Sequence, residues 1–175
     1  MNEYYLDTKN INEWVTDIKV GDRVYLSGTV YTARDAAHKK INELILNGDN
    51  LPFEIKNSVV YYAGPTPAKD KLVIGSIGPT TSSRMDVFSP TFIELGQKAM
   101  IGKGNRSQEV IDAIKKYGAV YFAAVGGAGA LYSQCIVSCD VVAFEELGCE
   151  SVKKLEFKDF PLLVAIDSCG NSLYK

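Results

Sequence analysis

Arg34, Arg84 and Lys103 are the residues of this sequence best suited to chemistry on a small anion, because each stands where the chain turns. Arg34 lies in Thr32-Ala33-Arg34-Asp35, which has the form of a capping box, with Thr32 as N-cap and Asp35 reaching back from the third helical position. Arg34 is then expected in the first helical turn. Free backbone N–H groups and the positive end of the helix dipole favour an anion there, and a guanidinium adds a planar, two-point grip on a carboxylate. His38 falls four residues on, on the same helix face. The plain alternative is an exposed arginine beside a histidine that has its own partners.

Gly78-Pro79-Thr80-Thr81-Ser82-Ser83-Arg84-Met85-Asp86 packs four hydroxyls and an arginine into a turn between apolar segments. A loop of this kind at the end of a strand presents backbone N–H groups and short hydroxyls to a small anion while Arg84 supplies charge. The alternative is a polar surface loop with Arg84 and Asp86 as a minor ion pair. Gly102-Lys103-Gly104-Asn105 sets a lysine between glycines just before Ser107, which lets backbone and ammonium approach a ligand closely. The run lacks the glycine spacing of a phosphate-binding loop, and Gly126-Gly127-Ala128-Gly129 lacks that of a dinucleotide fingerprint. Those glycines are as well suited to tight packing.

The elements that must position these residues read as follows. Tyr4-Tyr5-Leu6 suits an edge strand, Asn10–Ile18 an irregular stretch or short helix, and Val20-Gly21-Asp22 a turn. Arg23–Thr32 is a long strand rich in β-branched and aromatic residues, with Gly28 at a bulge or close approach. Asp35–Leu46 has apolar residues at helical spacing and Gly48 as its stop. Val59–Ala63 and Leu72–Ile77 read as buried strands, and Ser89-Pro90 opens a short helix. Ala99–Gly102 is too short to assign. Ser107 caps a second clear helix that Gly118 ends, and the strand Ala119–Val125 follows. The stretch to Leu147 mixes both signals. Val152–Phe157 and Leu162–Asp167 read as two strands, with a turn at Gly170-Asn171 before a last short one. Strands outnumber helices without strict alternation, which favours a layered α/β arrangement with a mixed sheet over a doubly wound one.

A formal net charge of −2 over 175 residues gives no general pull toward nucleic acid or an anionic membrane, so anion recognition must be local. The N-terminal residues carry no basic region followed by an apolar stretch, and no later run is long enough to span a bilayer, which sets the expectation of a cytoplasmic protein. Cys135, Cys139, Cys149 and Cys169 have neither zinc-ribbon spacing nor the density of a disulfide scaffold. Cys135 and Cys139 could share a helix face, but two thiols and the chain's single histidine make a poor metal cage, and no metal is assigned to this chain.

Taken together, Arg34-Asp35-Ala36-Ala37-His38, Gly78–Asp86, Lys103-Gly104-Asn105 and Gly126-Gly127-Ala128 resemble the β subunit, or C-terminal domain, of class I fumarases and L-tartrate dehydratases. The order and approximate spacing fit from about Val20 to Leu163, and the Gly78–Asp86 run is the specific part. The resemblance implies a layered, swivelling β/β/α domain with a mixed sheet, one domain over residues 1–175, closing on a separate α subunit that carries a four-iron, four-sulfur cluster. It implies a hydro-lyase active only with that subunit, in a hetero-oligomer for which α2β2 is one stoichiometry. In such enzymes one iron lacks a protein ligand and acts as a Lewis acid on the substrate hydroxyl and a neighbouring carboxylate, a base removes the proton on the next carbon, and water leaves.

On this resemblance Arg34 and Arg84 grip carboxylates of a small 2-hydroxy dicarboxylate, Lys103 is a further cation, and Thr81 adds to the binding site. Thr80 stands close to the reacting carbons as the catalytic candidate, for positioning or relay, because an unperturbed hydroxyl is a poor base. His38 supports Arg34 or a substrate oxygen, and the principal base belongs to the partner. Fumarate/malate and tartrate both fit. A stand-alone dicarboxylate-binding or regulatory module without catalytic activity is the alternative, and a purely structural subunit would need the cationic loops dispersed in space.

Overall fold

Val59 and Tyr61 turn to one hydrophobic core and Val60, between them, to another, and this alternation runs through the sheet. The computed structural model describes residues 1–69 and 72–174. Strands β1 (Glu3–Asp7), β2 (Arg23–Thr32), β3 (Val59–Tyr61), β4 (Ala99–Gly102) and β5 (Val120–Ala123) are parallel neighbours in that order. β7 (Val152–Ile166) is antiparallel to both β2 and β5, and β6 (Ile136–Ala143) is antiparallel to β7. Because β7 pairs with β2 on one side and β5 on the other, β2, β3, β4, β5 and β7 close into a ring, and β1 and β6 lie outside it. The fold is mixed α/β, with strands of both orientations.

The first core holds Val24, Leu26, Val30, Phe122, Phe157 and Phe160 together with Ile11 and Trp14 of the short helix α1 (Ile11–Trp14). The second lies under α2 (Asp35–Asn47), α3 (Ser89–Glu94) and α4 (Gln108–Tyr117), through Ala37 and Ile41, Phe92 and Ile93, and Val110 and Ile114. Each fully buried aromatic or aliphatic side chain of this kind contributes roughly 1.5–3 kcal/mol of transfer free energy. α4 is capped as its sequence indicates: Ser107 Oγ accepts from Val110 N, and Gly118 ends it at φ 66°. Gly48 ends α2 in the same left-handed conformation. In the unassigned stretch, α5 (Gly129–Tyr132) precedes β6.

Four expectations need correction. Thr32 does not cap α2, because β2 runs through it: its Oγ1 donates to Ser151 O and accepts from Lys153 N, so Arg34 becomes the N-cap, with no side-chain cap. Leu72–Ile77 forms no strand; Leu72 and Val73 are exposed and only Ile74 and Ile77 reach the core. Val152–Phe157 and Leu162–Asp167 belong to one strand. Leu26 faces Phe160 and Gly28 faces Phe157, so Lys158 and Asp159 of β7 together oppose the single residue Ser27, and Asp159 takes φ 48° at that bulge. The last short strand reduces to one bridge between Ile166 and Ser172.

Candidate functional site

The carboxyl ends of β2, β3, β4 and β5 lie together because these strands are parallel, and ligands of such sheets gather outside that end. Arg34 leaves β2 there, Gly64 follows β3, Lys103 follows β4, and Gly126-Gly127 follow β5. Since β7 runs the other way, Glu150 and Ser151 enter β7 at the same end.

The Gly78–Asp86 run threads between these turns. Thr80 N donates to Tyr62 O at 2.7 Å, Lys103 N donates to Thr80 O at 3.3 Å, and Ser82 N donates to Lys103 O at 2.9 Å. Thr81 and Lys103 therefore pair as a short parallel bridge, and a 3-10 turn takes Ser82–Met85. Of the four hydroxyls, Ser82 turns inward to lie 2.9 Å from the Tyr121 hydroxyl, whereas Thr81 and Ser83 are exposed and Thr80 is half-buried. Gly102 makes this possible, since a Cβ there would lie 1.9 Å from Ser82 Oγ. Lys103 is exposed, and its side chain lies over Gly126, where a Cβ would sit 3.7 Å from Nζ.

Arg84 pairs with Asp35, the first residue of α2, and not with Asp86. The two arginine candidates are thereby joined through adjacent residues, Arg34 and Asp35. Arg34 itself stands 3.4 Å from Glu150 through Nε.

His38 is fully buried against the rings of Tyr62, Phe88 and Phe92. Burial pushes its pKa down to about 4, against a smaller opposing effect of the Arg34 carbonyl. The neutral ring must carry its proton on Nδ1, because the partner 2.8 Å away is the carbonyl oxygen of Arg34; Nε2 has no hydrogen-bond partner. The same carbonyl accepts from His38 N at 2.8 Å, so His38 fixes the main chain of Arg34.

Arg106 went unnoticed in the sequence, and its side chain is fully buried. Its Nε donates to Asp86 Oδ1 at 2.7 Å and Nη2 donates to Ser89 Oγ at 2.7 Å, while the guanidinium stacks on Tyr62 and Tyr121. Burial opposes its charge, but Tyr62 and Asp86 outweigh that and hold its pKa above the usual arginine value. Asp86 Oδ2 also accepts from Ser107 N at 2.6 Å. The pair thus ties the Arg84 turn to the Lys103 loop. Only a partner twenty residues away marks Arg106 as interior, and no local pattern carries that signal.

Cys139 lies in β6 and Cys135 in the turn before it, so the two share no helix face; Cys149 and Cys169 are exposed. Among the described residues no group of three or more His, Cys, Asp or Glu side chains is placed to hold a metal ion. An apolar groove of about 570 Å³, lined by residues such as Val24, Ala123, Val125, Leu131 and Leu162, includes none of the cationic candidates. No helix among the described residues is long and apolar enough to cross a membrane.

The model of the family described as "Fumarase C-terminus" matches residues 1–175. The chain belongs to that family. Among its relatives is a Methanocaldococcus jannaschii protein provisionally named L(+)-tartrate dehydratase subunit beta, 45% identical over 98% of this chain and 91% of the relative. Fumarate hydratase 2 of Leishmania major is 42% identical over 94% of the chain, and the aerobic class I fumarate hydratase of Escherichia coli strain K12 is 40% identical over 95%. This fumarase C-terminus chain spans only 29% and 31% of those two hydratases. It corresponds to nearly a whole subunit in the first relative and to a part of a longer chain in the others. The matched span includes Arg34, His38, Thr80, Thr81, Arg84 and Lys103.

Proposed function

We propose that this chain is the β component of an iron–sulfur hydro-lyase, which holds the carboxylates of a small 2-hydroxy dicarboxylate during reversible hydration and dehydration. The observation that carries the reading is the gathering of Arg34, Arg84 and Lys103, with Thr80 and Thr81, on neighbouring turns at one end of the parallel strands. The names of the relatives, fumarate hydratases and a tartrate dehydratase subunit, describe addition or removal of water. Dependence on a separate subunit is supported by the relative that is itself named a beta subunit.

In this reading residues 1–175 form one swivelling, layered domain that closes on a cluster-bearing α subunit, in a cytoplasmic hetero-oligomer. The four-iron, four-sulfur cluster of that subunit supplies Lewis acidity toward the substrate hydroxyl. Arg34 and Arg84 each bind a carboxylate by two nitrogens, and Lys103 adds a third positive charge without the planar constraint. Each of these positive groups helps to hold the diacid, and their fixed separation orients it. Thr80 borders the reacting carbons and positions them or relays a proton, with its own main chain fixed between Tyr62 and Lys103. His38 acts at a distance, through the carbonyl of Arg34.

The test is reconstitution with a cluster-bearing α subunit under anaerobic conditions, followed by assay of malate and tartrate dehydration. Turnover of either acid by the complex, and by neither chain alone, is the expected result. Dicarboxylate binding by this chain with no turnover in any such complex would instead leave a binding module.

A further inference from the structure

Glu150 stands against Arg34 at the site end of the sheet, and the roles assigned so far give it no part. Its Oε1 lies 3.4 Å from Arg34 Nε, with the two side chains 30% and 24% exposed. The guanidinium is confined on another side by Gly64, where a Cβ would lie 3.1 Å from Arg34 Nη1 and equally close to Cys149 O. The turn that bears Glu150 is itself anchored. The buried Lys153 ammonium donates to the carbonyls of Gly148 and Cys149 at 3.2 Å and to Ser151 Oγ at 2.7 Å. Lys40 pairs with Glu146 of the same turn at 2.8 Å. Glu150 is thus a carboxylate whose main chain is held in place on both sides.

We propose that Glu150 is a positioning residue for Arg34: it holds the guanidinium from the Nε edge and leaves the terminal nitrogens for a ligand carboxylate. This rests on the reading of Arg34 as a dicarboxylate-binding residue. The contact geometry separates positioning from competition. A carboxylate that took the ligand's place would engage the terminal nitrogens by two short bonds. Glu150 instead makes a single ionic contact at Nε, an atom that has no hydrogen-bond partner. An arginine flanked in this way keeps its orientation before the ligand arrives, which lowers the ordering cost of binding.

The experiment compares E150A, E150Q and R84A in the complex with the cluster-bearing subunit, on whichever diacid the unmodified complex dehydrates. E150A is expected to raise KM by about tenfold with kcat changed less than about threefold, the pattern of lost uniform binding. E150Q keeps the bulk of the side chain but not its charge, and because the contact at Nε is ionic it is expected to raise KM nearly as much as E150A. An unchanged KM in E150A, or a normal KM in E150Q, would overturn the ionic positioning role. A lowered KM would overturn it too, by making Glu150 a competitor for Arg34. If R84A turns over normally, the carboxylate-binding reading itself fails; if R84A is crippled while E150A is normal, only the role of Glu150 fails.

Discussion

Arg106 Nε lies 2.7 Å from Asp86 Oδ1, and through this pair the turn that carries Arg84 is fastened to the loop that carries Lys103. A buried ion pair adds little over an apolar replacement, but removing one member strands the other charge and costs about 3–5 kcal/mol. Asp86→Ala is therefore expected to lower the unfolding free energy by about that amount, read from denaturant midpoints at constant slope. Adding Arg106→Met should recover part of the loss. A loss below about 1 kcal/mol in the single variant would mean that the pair fastens nothing.

Gly102 and Ser82 make a second coupled pair. A methyl at Gly102 would meet Ser82 Oγ at 1.9 Å and Tyr62 Cδ2 at 3.0 Å, so Gly102→Ala must displace Ser82 from the Tyr121 hydroxyl. Overpacking of this kind costs about 1–3 kcal/mol. In the double variant G102A/S82A the clashing oxygen is gone, and the two effects should sum to less than their separate values, as thermal unfolding would register. Strict additivity would show that the close approach is not what constrains the turn.

His38 predicts a specific pH dependence. Its folded pKa, about 4, is below the ordinary value of 6.5, so the unfolded chain binds the proton more readily. The stability it contributes is fully present above pH 6.5 and is lost as pH falls toward 4. Between pH 7.5 and pH 5 the loss from this group is about 2 kcal/mol. Urea titrations at the two pH values should show that drop in the unmodified chain and a much smaller one in His38→Asn. Equal drops in both would remove His38 as the cause.

How far the sequence carried the structure depended on how local each signal was. β2 and the two long helices were legible because alternation, helical spacing and the stops at Gly48 and Gly118 act within a few residues. Thr32 was misread as a cap because its hydroxyl is claimed by Ser151 and Lys153, more than a hundred residues away. The bulge at Asp159 divides the two segments read as separate strands, and only their joint pairing with β2, on both sides of Ser27, shows the strand to be continuous. At the site, Arg34, Arg84 and Lys103 stood out as cations at turns. Their partners Glu150 and Asp35, and the buried Arg106, are defined by ring closure and loop packing that no local pattern expresses.

The central claim is that this chain holds the dicarboxylate, and Arg84 tests it most directly because its side chain is half exposed, 49%, and contributes little to the core. Steady-state kinetics of the reconstituted complex should show kcat/KM for dehydration falling by about 30-fold to several thousand-fold in Arg84→Ala, the equivalent of roughly 2–5 kcal/mol. Lys158→Ala, at an exposed residue in β7, serves as the control. Near-normal turnover and substrate affinity in Arg84→Ala would contradict the account.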